Sequence, residues 1–346
     1  MYESEQSTVQ QALQNSNAVV FSDSTIKDIL ALTTKDNATV RFDSVLPDAS
    51  GNVTVSAGAE VVLVATSDIF QTTVKPPVNA PVVIFQGRGG VVATLNDGIT
   101  TPSGNQSQVD RIVVGSSGGD KIIVADAKNT KVVLGSGDSS VQTGGGVDTV
   151  HAGLGNSTIV GGSGDYAVVK LAGNAANYTV TQSNGHAIVT DMTTHKTTDI
   201  SKIQYVQLDN GNALVFARNS VEGQVSTLYH TAFGRDADAG GLDYWFDLAK
   251  AGATMKQIAD AFTHSAEFAT MAAKTDVAFI QAMYQNTFNR AGEDTGVAYW
   301  QDALAHGQTR ADLITSFASI AVQNIQATVH TEAQVVGQLS IVTGII

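Results

Sequence analysis

The fold is decided by residues 135–170, whose sequence is GSGDSSVQTGGGVDTVHAGLGNSTIVGGSGDYAVVK. In and around this stretch, a β-branched apolar residue recurs every nine positions: Val114, Ile123, Val132, Val141, Val150, Ile159 and Val168. Glycine follows the same period at Gly119, Gly137, Gly146, Gly155 and Gly164. A second glycine row lies two residues earlier, at Gly135, Gly144, Gly153 and Gly162. A nine-residue period with paired glycines is typical of a parallel β-helix or β-roll.

Each nonapeptide is expected to form one short strand, with its apolar residue pointing inward, and one tight turn. We expect the turn glycines to adopt backbone angles that other residues avoid. A single repeat cannot bury its apolar side, so the repeats must stack on one another. The sequence therefore predicts a roll with two nonapeptides per coil, in which residues eighteen positions apart lie above each other.

Side chains with oxygen atoms follow the same period in the turns. They are Asp120, Asn129, Asp138, Asn156 and Asp165, each directly after the periodic position, and Asp148, one residue later. Stacking by eighteen residues predicts one edge with Asp120, Asp138 and Asn156. It predicts a second edge with Asn129, Asp148 and Asp165.

Carboxylates stacked at the spacing of strands, about 5 Å, repel one another unless a cation lies between them. Calcium is the expected cation because it takes oxygen ligands in tolerant geometry. The candidate calcium site therefore consists of these six residues and the turn glycines Gly137, Gly146, Gly155 and Gly164. The alternative is a metal-free roll in which the Asp and Asn side chains only cap turns.

The segments LGSGDSSV, TGGGVDTVHA, GLGNSTIV and GGSGDYAVV resemble degenerate repeats-in-toxin (RTX) nonapeptides, whose consensus is G-G-x-G-x-D-x-U-x. Only the repeat with Gly146 and Asp148 keeps the consensus position of Asp. The other repeats place Asp or Asn one residue early, or have Ser139 or Ser157 where Asp is expected. The resemblance implies fewer or weaker calcium sites than a full RTX array has, and export by type I secretion.

The chain from residue 221 onward has a helical period and repeats itself at an offset of 55 residues. LYHTAFGRDADAGGLDYWFDLAKAG aligns with MYQNTFNRAGEDTGVAYWQDALAHG. This duplication resembles a helical domain of unknown function that follows RTX repeats in many type I-secreted proteins. Trp245 and Trp300 are expected at matching core positions, and Arg235 and Arg290 are expected to bond to acids or loop carbonyls.

The predicted fold class is multidomain β plus α. Residues 1–113 form a β-rich region that continues into the parallel roll at 114–170. Residues 171–220 form an antiparallel β cap, with hairpin turns at 184–185 and 210–211 where Asn-Gly pairs occur. Residues 221–325 form an all-α domain. Residues 326–346, whose last twelve residues are apolar and uncharged, form a C-terminal secretion segment.

Composition excludes several classes of function. The chain has 346 residues and a net charge of −13, with no run of Lys or Arg, which opposes binding to nucleic acid. Cysteine is absent, so thiol catalysis and disulfides are excluded. The first twenty residues lack an apolar signal region, and no segment is long and apolar enough to predict a transmembrane helix.

The sequence contains none of the common catalytic motifs, and we expect no enzyme activity. The expected function is that of a secreted, calcium-binding structural protein on a bacterial surface or in the biofilm matrix. It would self-assemble as an S-layer or fibre subunit. The alternative is an adhesin that binds cell-surface polysaccharide or lipopolysaccharide. A weaker alternative is the remnant of a polysaccharide-modifying exoenzyme.

Overall fold

The computed structural model describes residues 2–16, 20–33, 39–105, 108–183, 185–209, 213–217, 219–327, 334–336 and 339–343. The chain divides into two compact units. The solenoid unit comprises Met1–Leu171 and Ile188–Ile203, and the helical unit comprises Ala172–Ala187 and Gln204–Ile346. Strands dominate the first unit and helices the second, which confirms the predicted multidomain β plus α fold class.

Within the described residues, two α-helices and sixteen strands precede residue 202. The helices are α1 (Gln6–Ser16) and α2 (Asp23–Thr33). The strands are β1 (Tyr2–Glu5), β2 (Thr39–Val45), β3 (Val61–Ala65), β4 (Thr72–Val74), β5 (Val82–Gln86), β6 (Val91–Leu95), β7 (Arg111–Val114), β8 (Lys121–Val124), β9 (Thr130–Val133), β10 (Ser139–Gln142), β11 (Asp148–His151), β12 (Ser157–Val160), β13 (Ala167–Leu171), β14 (Tyr178–Ser183), β15 (His186–Asp191) and β16 (Thr197–Ser201).

From β3 to β13, successive strands alternate between two sheets. The first sheet has the order β1-β2-β3-β5-β7-β9-β11-β13, and the second contains β16-β12-β10-β8-β6-β4. The pairs from β2 to β13 and from β4 to β16 are parallel. The roll with two strands per coil is therefore present as predicted from the nine-residue period.

The roll extends beyond residues 114–170 in both directions. Parallel pairing begins at β2. The coils before residue 114 have the same architecture, but their longer loops hide the repeat in the sequence. It continues to β16, which pairs with β12 after the chain has passed through β14 and β15. The cap predicted at 171–220 is therefore only partly antiparallel. The hairpin positions 184 and 210–211 lie outside the described residues.

The strict period of eighteen residues holds only in the middle of the roll. Val132 lies opposite Val150, and Val141 lies opposite Ile159. The coils on either side have nineteen residues, so Val141 lies opposite Ile122 and not Ile123. Ile122 is buried, whereas Ile123 is only half-buried. The prediction that Ile123 points inward is therefore wrong by one position.

Helices α1 and α2 cover the outer face of the first sheet. Val9 of α1 and Ile26 and Ile29 of α2 form one buried cluster with strand residues of this face. These strand residues include Val40, Val61, Val82, Ile84, Ile112, Val114 and Val133. Val114, which the nine-residue period places inside the roll, therefore faces the helices.

The turn glycines are required by the close approach of neighbouring coils. A Cβ atom on Gly153 would lie far inside 3.0 Å of the Gly135 carbonyl oxygen, a separation that real Cβ atoms essentially never show. The same holds for Gly155 against Gly137 and for Gly164 against Gly146. Within the described residues, none of these glycines has a left-handed backbone. The expectation of unusual backbone angles is therefore wrong, and contact between coils replaces it as the reason for glycine.

The helical unit contains a short 3-10 helix (Ala175–Asn177), strands β17 (Tyr205–Leu208) and β18 (Ala213–Ala217), and then the predicted helices. These are α3 (Ser220–Phe233), α4 (Ala239–Lys250), α5 (Met255–Thr263), α6 (Ala269–Ala272), α7 (Asp276–Phe288), α8 (Asp294–Ala305) and α9 (Arg310–Ala327). Strands β19 (Gln334–Val336) and β20 (Leu339–Thr343) follow. β17 and β18 are antiparallel.

The duplication appears as two matching sets of helices, α3–α5 and α7–α9. Trp245 contacts Phe262 with ring centroids 4.8 Å apart, and Trp300 contacts Phe317 at 5.1 Å. Both tryptophans are half-buried, at the matching positions that the sequence repeat predicts. Among the described residues, no helix has the length and hydropathy needed to cross a bilayer.

Candidate functional site

Asp138 and Asn156 form a column on the exposed edge of the roll. The Asp138 carboxylate accepts the Asn156 backbone N–H at 2.8 Å and its side-chain Nδ2 at 3.1 Å. Asn156 Oδ1 in turn accepts the Thr197 backbone N–H at 3.1 Å. The bonds from Asn156 hold the pKa of the Asp138 carboxyl below its usual range. The predicted stacking of Asp138 under Asn156 is therefore confirmed.

Asp120 does not belong to that column. Its backbone N–H donates to Ser139 Oγ at 3.1 Å, because the coil between β8 and β10 has nineteen residues. Its side chain is 2% exposed and points back to the preceding coil. There it accepts the N–H of Val91 at 3.0 Å. It also accepts the N–H and the hydroxyl of Ser116, four residues earlier in its own coil, at 2.8 and 2.6 Å. The prediction that Asp120 stacks under Asp138 is wrong.

The three residues predicted for the second edge do not form a single column either. Asn129 Oδ1 accepts the N–H of Val147, which lies eighteen residues further along the chain, at 2.9 Å. Asn129 Nδ2 donates to the carbonyl oxygens of Asn105 and Gln108 at 3.1 and 2.9 Å. A further step of eighteen leads to Asp165, which is exposed. Asp148 does not lie above Asn129, since it begins β11 one residue further along.

Asp148 is fully buried and performs the same structural task as Asp120. One carboxylate oxygen accepts the N–H of Gly144, four residues earlier, at 2.6 Å. The other accepts the N–H of Thr130, in the preceding coil, at 2.8 Å. Asp120 likewise binds the N–H four residues earlier and an N–H of the preceding coil. We call Asp120 and Asp148 the inner acids.

Burial changes the proton affinity of both inner acids. It raises the pKa of Asp148 to about 6, although the N–H groups of Gly144 and Thr130 and the charge of Arg111 act in the opposite direction. Burial also raises the pKa of Asp120, against the bonds from Ser116 and Val91. The inner acids are thus inter-coil acceptors whose negative charge is costly at neutral pH.

A buried ion-pair network next to Asp148 was missed by the sequence analysis. Arg111 is buried and binds Asp126 through two hydrogen bonds, of 2.9 and 2.8 Å, and donates to Thr130 Oγ1 at 2.9 Å. Asp97 lies 3.6 Å from Arg111 and also pairs with Lys128. Burial alone would raise the pKa of Asp126, but the bonds from Arg111 hold it below its usual range.

The two groups of residues differ in how well they fit a calcium ion. N–H donors already point at both oxygens of each inner acid, and a cation would have to displace them. Asp138 is exposed and Asn156 is half-buried, and both offer oxygen donors on one edge of the roll, whereas the exposed Asp165 lies on the opposite edge. A carboxylate has about four lone-pair sites, and the bonds from Asn156 use only two of those on Asp138. The exposed column therefore fits a calcium ion better than the inner acids do.

The turn glycines of the candidate site form two columns. Gly155 stacks on Gly137 along one edge, and Gly164 stacks on Gly146 along the other. Each pair is separated by eighteen residues, as the nine-residue period predicts. These columns bring the turn backbones of consecutive coils together beside the Asp and Asn side chains.

The helical unit contains two arginines in equivalent positions with different surroundings. Arg235 binds both oxygens of Glu267, at 2.6 and 2.9 Å, and donates to the Tyr229 hydroxyl at 2.9 Å. Arg290 binds Glu293 at 2.6 Å and the carbonyl oxygen of Ala291 at 3.2 Å. The prediction that these arginines bond to acids or loop carbonyls is confirmed.

The second copy of the helical repeat also contains an open aromatic cavity. It has a volume of about 300 Å³ and is lined by Tyr284, Phe288, Arg290, Trp300, Phe317 and Ile320. In the first copy, Phe268 packs against Phe233 with ring centroids 6.4 Å apart. The residue 55 positions after Phe268 is Gln323, so the second copy lacks this ring.

Comparison with known proteins identifies only the duplicated helical region. A family model described as a domain of unknown function (DUF4214) matches residues 215–272 and 259–321. The two matched ranges correspond to the two copies of the repeat. No curated protein and no solved structure matches the chain. The family has no assigned function, so the match locates the duplication without indicating an activity.

Proposed function

We propose that this chain is a non-catalytic structural protein of the bacterial cell exterior, with a calcium-responsive solenoid and self-association into a surface layer or fibre. One observation carries the proposal: the polar side chains of the roll hold one coil to the next. Asp138, Asn129 and the inner acids all accept backbone N–H groups of a neighbouring coil. Such use of polar residues suits a scaffold.

Calcium is proposed to bind at the exposed turn edge. The oxygens of Asp138 and Asn156, with nearby turn carbonyls, match the oxygen-only ligand sets that calcium takes. The resemblance of the turns to RTX repeats supports this choice, and it also supports export by type I secretion into a calcium-rich medium. A site with a dissociation constant of about 10 µM would stabilise the fold by roughly 2.7 kcal/mol at a hundredfold excess of calcium.

The proposal is tested by the thermal stability and assembly state of the full chain with calcium, with magnesium and with a chelator. Calcium should raise the melting temperature and promote assemblies visible by electron microscopy. Asp138→Asn should shift both effects to higher calcium. Asp48→Asn is the matched control, because Asp48 is an exposed aspartate that also accepts N–H bonds from a nearby Asn but lies outside the repeats. An identical melting temperature and assembly state after chelation would mean that calcium has no role and that the Asp and Asn side chains only cap turns.

A second candidate function is glycan binding by the helical unit, favoured by the open aromatic cavity of the second copy. The apolar face of a sugar ring packs on aromatic rings, and Arg290 can donate to its hydroxyl or carboxylate groups. Cell-surface polysaccharide or lipopolysaccharide would be the partner.

The glycan proposal is tested by titrating purified lipopolysaccharide and a uronic-acid polysaccharide into the full chain. Arg290→Gln should weaken binding at least tenfold, while Arg235→Gln, in the first copy where Phe268 packs against Phe233, should leave it unchanged. Equal affinity of both variants for every glycan tested would exclude this cavity as the glycan-binding site.

A further inference from the structure

The two copies of the helical repeat end differently. In the first copy, α5 ends at Thr263 and the chain turns, so that the N–H of Phe268 donates to Ser265 Oγ at 3.2 Å. In the second copy, the equivalent residues 319–323 belong to the longer helix α9. The turn that completes the first copy is therefore replaced by helix in the second.

That turn places a carboxylate and an aromatic ring against the first copy. Nε and Nη2 of Arg235 donate to the two oxygens of Glu267, at 2.6 and 2.9 Å. The Phe268 ring is 1% exposed and packs on Phe233 and on Phe279 of α7, with ring centroids 6.4 and 6.2 Å apart. We call Glu267 and Phe268 the Glu-Phe turn.

The second copy keeps the residues that hold the Glu-Phe turn but lacks the turn itself. Phe288 and Arg290 are equivalent to the phenylalanine and the arginine that the turn contacts in the first copy. At the two positions of the turn the second copy has Val322 and Gln323, which offer neither a carboxylate nor a ring. Phe288 and Arg290 line the open aromatic cavity, so the cavity lies where the first copy receives its Glu-Phe turn.

Arg290 presents the donor edge with which Arg235 binds its carboxylate. In both arginines Nη1 donates to the carbonyl oxygen of the following residue, at 3.0 Å for Arg235 and 3.2 Å for Arg290. Glu293 also binds Nη1 of Arg290, but these side chains are 49% and 66% exposed, and exposed pairs stabilise little. Nε and Nη2 of Arg290 have no hydrogen-bond partner among the described residues. This edge can therefore bind both oxygens of a carboxylate.

The rings around the cavity are further apart than their equivalents in the first copy. Phe288 lies 6.1 Å from Tyr284 and 5.7 Å from Phe317, measured between ring centroids. The equivalent pairs of the first copy are 4.9 and 5.0 Å apart. The cavity of about 300 Å³ is at the lower end of the range of about 300–1,000 Å³ that is usual for binding pockets. It suits one ring with a short flanking segment.

We propose that this cavity docks a peptide segment of a partner protein in which a glutamate is followed directly by a phenylalanine. The partner's carboxylate binds Nε and Nη2 of Arg290, and its ring packs on Phe288. The first copy is the template for this choice, because it shows which groups the matching residues hold. The inference goes beyond the scaffold function, since it adds a binding site for a second protein.

The lining of the cavity favours a phenyl ring over a sugar ring. Its polar groups are the Arg290 guanidinium, the Tyr284 hydroxyl and the Trp300 N–H, and the remaining side chains are apolar. A sugar ring carries several hydroxyl groups, and burying a hydroxyl without a partner is costly. A phenyl ring has no such group. The glycan of the second candidate function is therefore the competing outcome of the test.

The probe is a synthetic peptide with the sequence of residues 263–270, THSAEFAT, which carries a fluorophore. Fluorescence anisotropy measures its binding to the full chain. Two control peptides replace the glutamate with glutamine or the phenylalanine with alanine, and these changes cannot alter the fold of the protein. Arg290→Gln removes the donor edge, and Arg235→Gln is the matched control in the first copy. The melting temperature checks that both variants fold.

The wild type should bind THSAEFAT. The glutamine peptide should bind about tenfold or more weakly, because it loses a bidentate, charge-assisted pair. The alanine peptide should bind about 30-fold or more weakly, the effect typical of a buried aromatic anchor. Arg290→Gln should weaken binding as much as the glutamine peptide does, and combining the two changes should weaken it no further. Arg235→Gln should bind like the wild type.

Three results would overturn the inference. If THSAEFAT does not bind, or if all three peptides bind equally, the cavity does not recognise glutamate followed by phenylalanine. If Arg290→Gln and Arg235→Gln bind the peptide equally, the peptide occupies another surface. If a uronic-acid polysaccharide binds in a manner that depends on Arg290 and THSAEFAT does not displace it, the cavity is a glycan site, and the second candidate function stands without this inference.

Discussion

Replacing Gly153 with alanine should destabilise the solenoid unit. The added Cβ atom would collide with the carbonyl oxygen of Gly135 in the preceding coil. That oxygen also accepts the N–H of Leu154 at 3.0 Å, so moving the coils apart weakens this bond. The coils would have to separate by about 1 Å, roughly a fifth of the 4.7–4.9 Å spacing between strands.

The expected loss of stability follows from these contacts. Overpacking in a well-packed region costs about 1–3 kcal/mol, and the weakened hydrogen bond adds about 0.5–1.5 kcal/mol. Alanine also reduces the entropy of the unfolded chain, which offsets about 0.4–1 kcal/mol. The net loss for Gly153→Ala should be about 1–3 kcal/mol.

The control is Gly104→Ala. A Cβ atom at Gly104 would meet no other atom within 4 Å, and its backbone is not left-handed. This variant should be neutral or more stable by up to about 1 kcal/mol.

Urea denaturation distinguishes the two units because both tryptophans, Trp245 and Trp300, lie in the helical unit. The β signal in circular dichroism should therefore shift for Gly153→Ala while tryptophan fluorescence changes little. If Gly153→Ala is as stable as Gly104→Ala by circular dichroism, contact between coils is not the reason for glycine in the turns.

Three further predictions concern buried and half-buried side chains. The pKa of Asp148 is raised to about 6 in the folded state from an ordinary value of 3.8, so the folded state binds a proton more readily than the unfolded state. The free energy of unfolding should therefore decrease as pH rises from about 4 to 6. Asp148→Asn should flatten this dependence in denaturation curves measured across that range. Arg111→Met should cost about 3–5 kcal/mol by leaving Asp126 buried and unpaired, and adding Asp126→Asn should recover part of the loss, as urea titrations of both variants would show. Trp245→Ala and Trp300→Ala should each lower the free energy of unfolding of the helical unit by about 2–3 kcal/mol, less than the 3–5 kcal/mol typical of a fully buried ring. The β signal of the roll should stay intact. Unchanged melting of the helices in both variants would show that these rings do not stabilise them.

The sequence was sufficient to predict the roll because its central coils repeat without insertions. Val132, Val141, Val150 and Ile159 are buried, and their pairing follows the eighteen-residue period. The period fails where a coil gains one residue. That extra residue places Asp120 opposite Ser139 and not opposite Asp138. A shift of one residue also reverses the side of the strand to which a side chain points.

The inner polar network could not be derived from the repeat, since its members come from positions without a fixed period. Arg111 begins β7, whereas Asp97 and Asp126 lie in loops between strands. The available signal was a single arginine at the start of the apolar strand RIVV, followed by an acid fifteen residues later. Only the folded coils bring these groups together. The cover of α1 and α2 over the first sheet likewise depends on long-range contacts.

The central claim, that calcium acts on the exposed turn column of a preformed solenoid, is tested most directly by hydrogen exchange of backbone amides with and without calcium. Asp138 and Asn156 hold the N–H groups of Asn156 and Thr197, whereas Asp148 holds those of Gly144 and Thr130. Calcium should slow exchange at Asn156 and Thr197 much more than at Gly144 and Thr130. Equal exchange at all four amides with calcium and with a chelator would contradict the account.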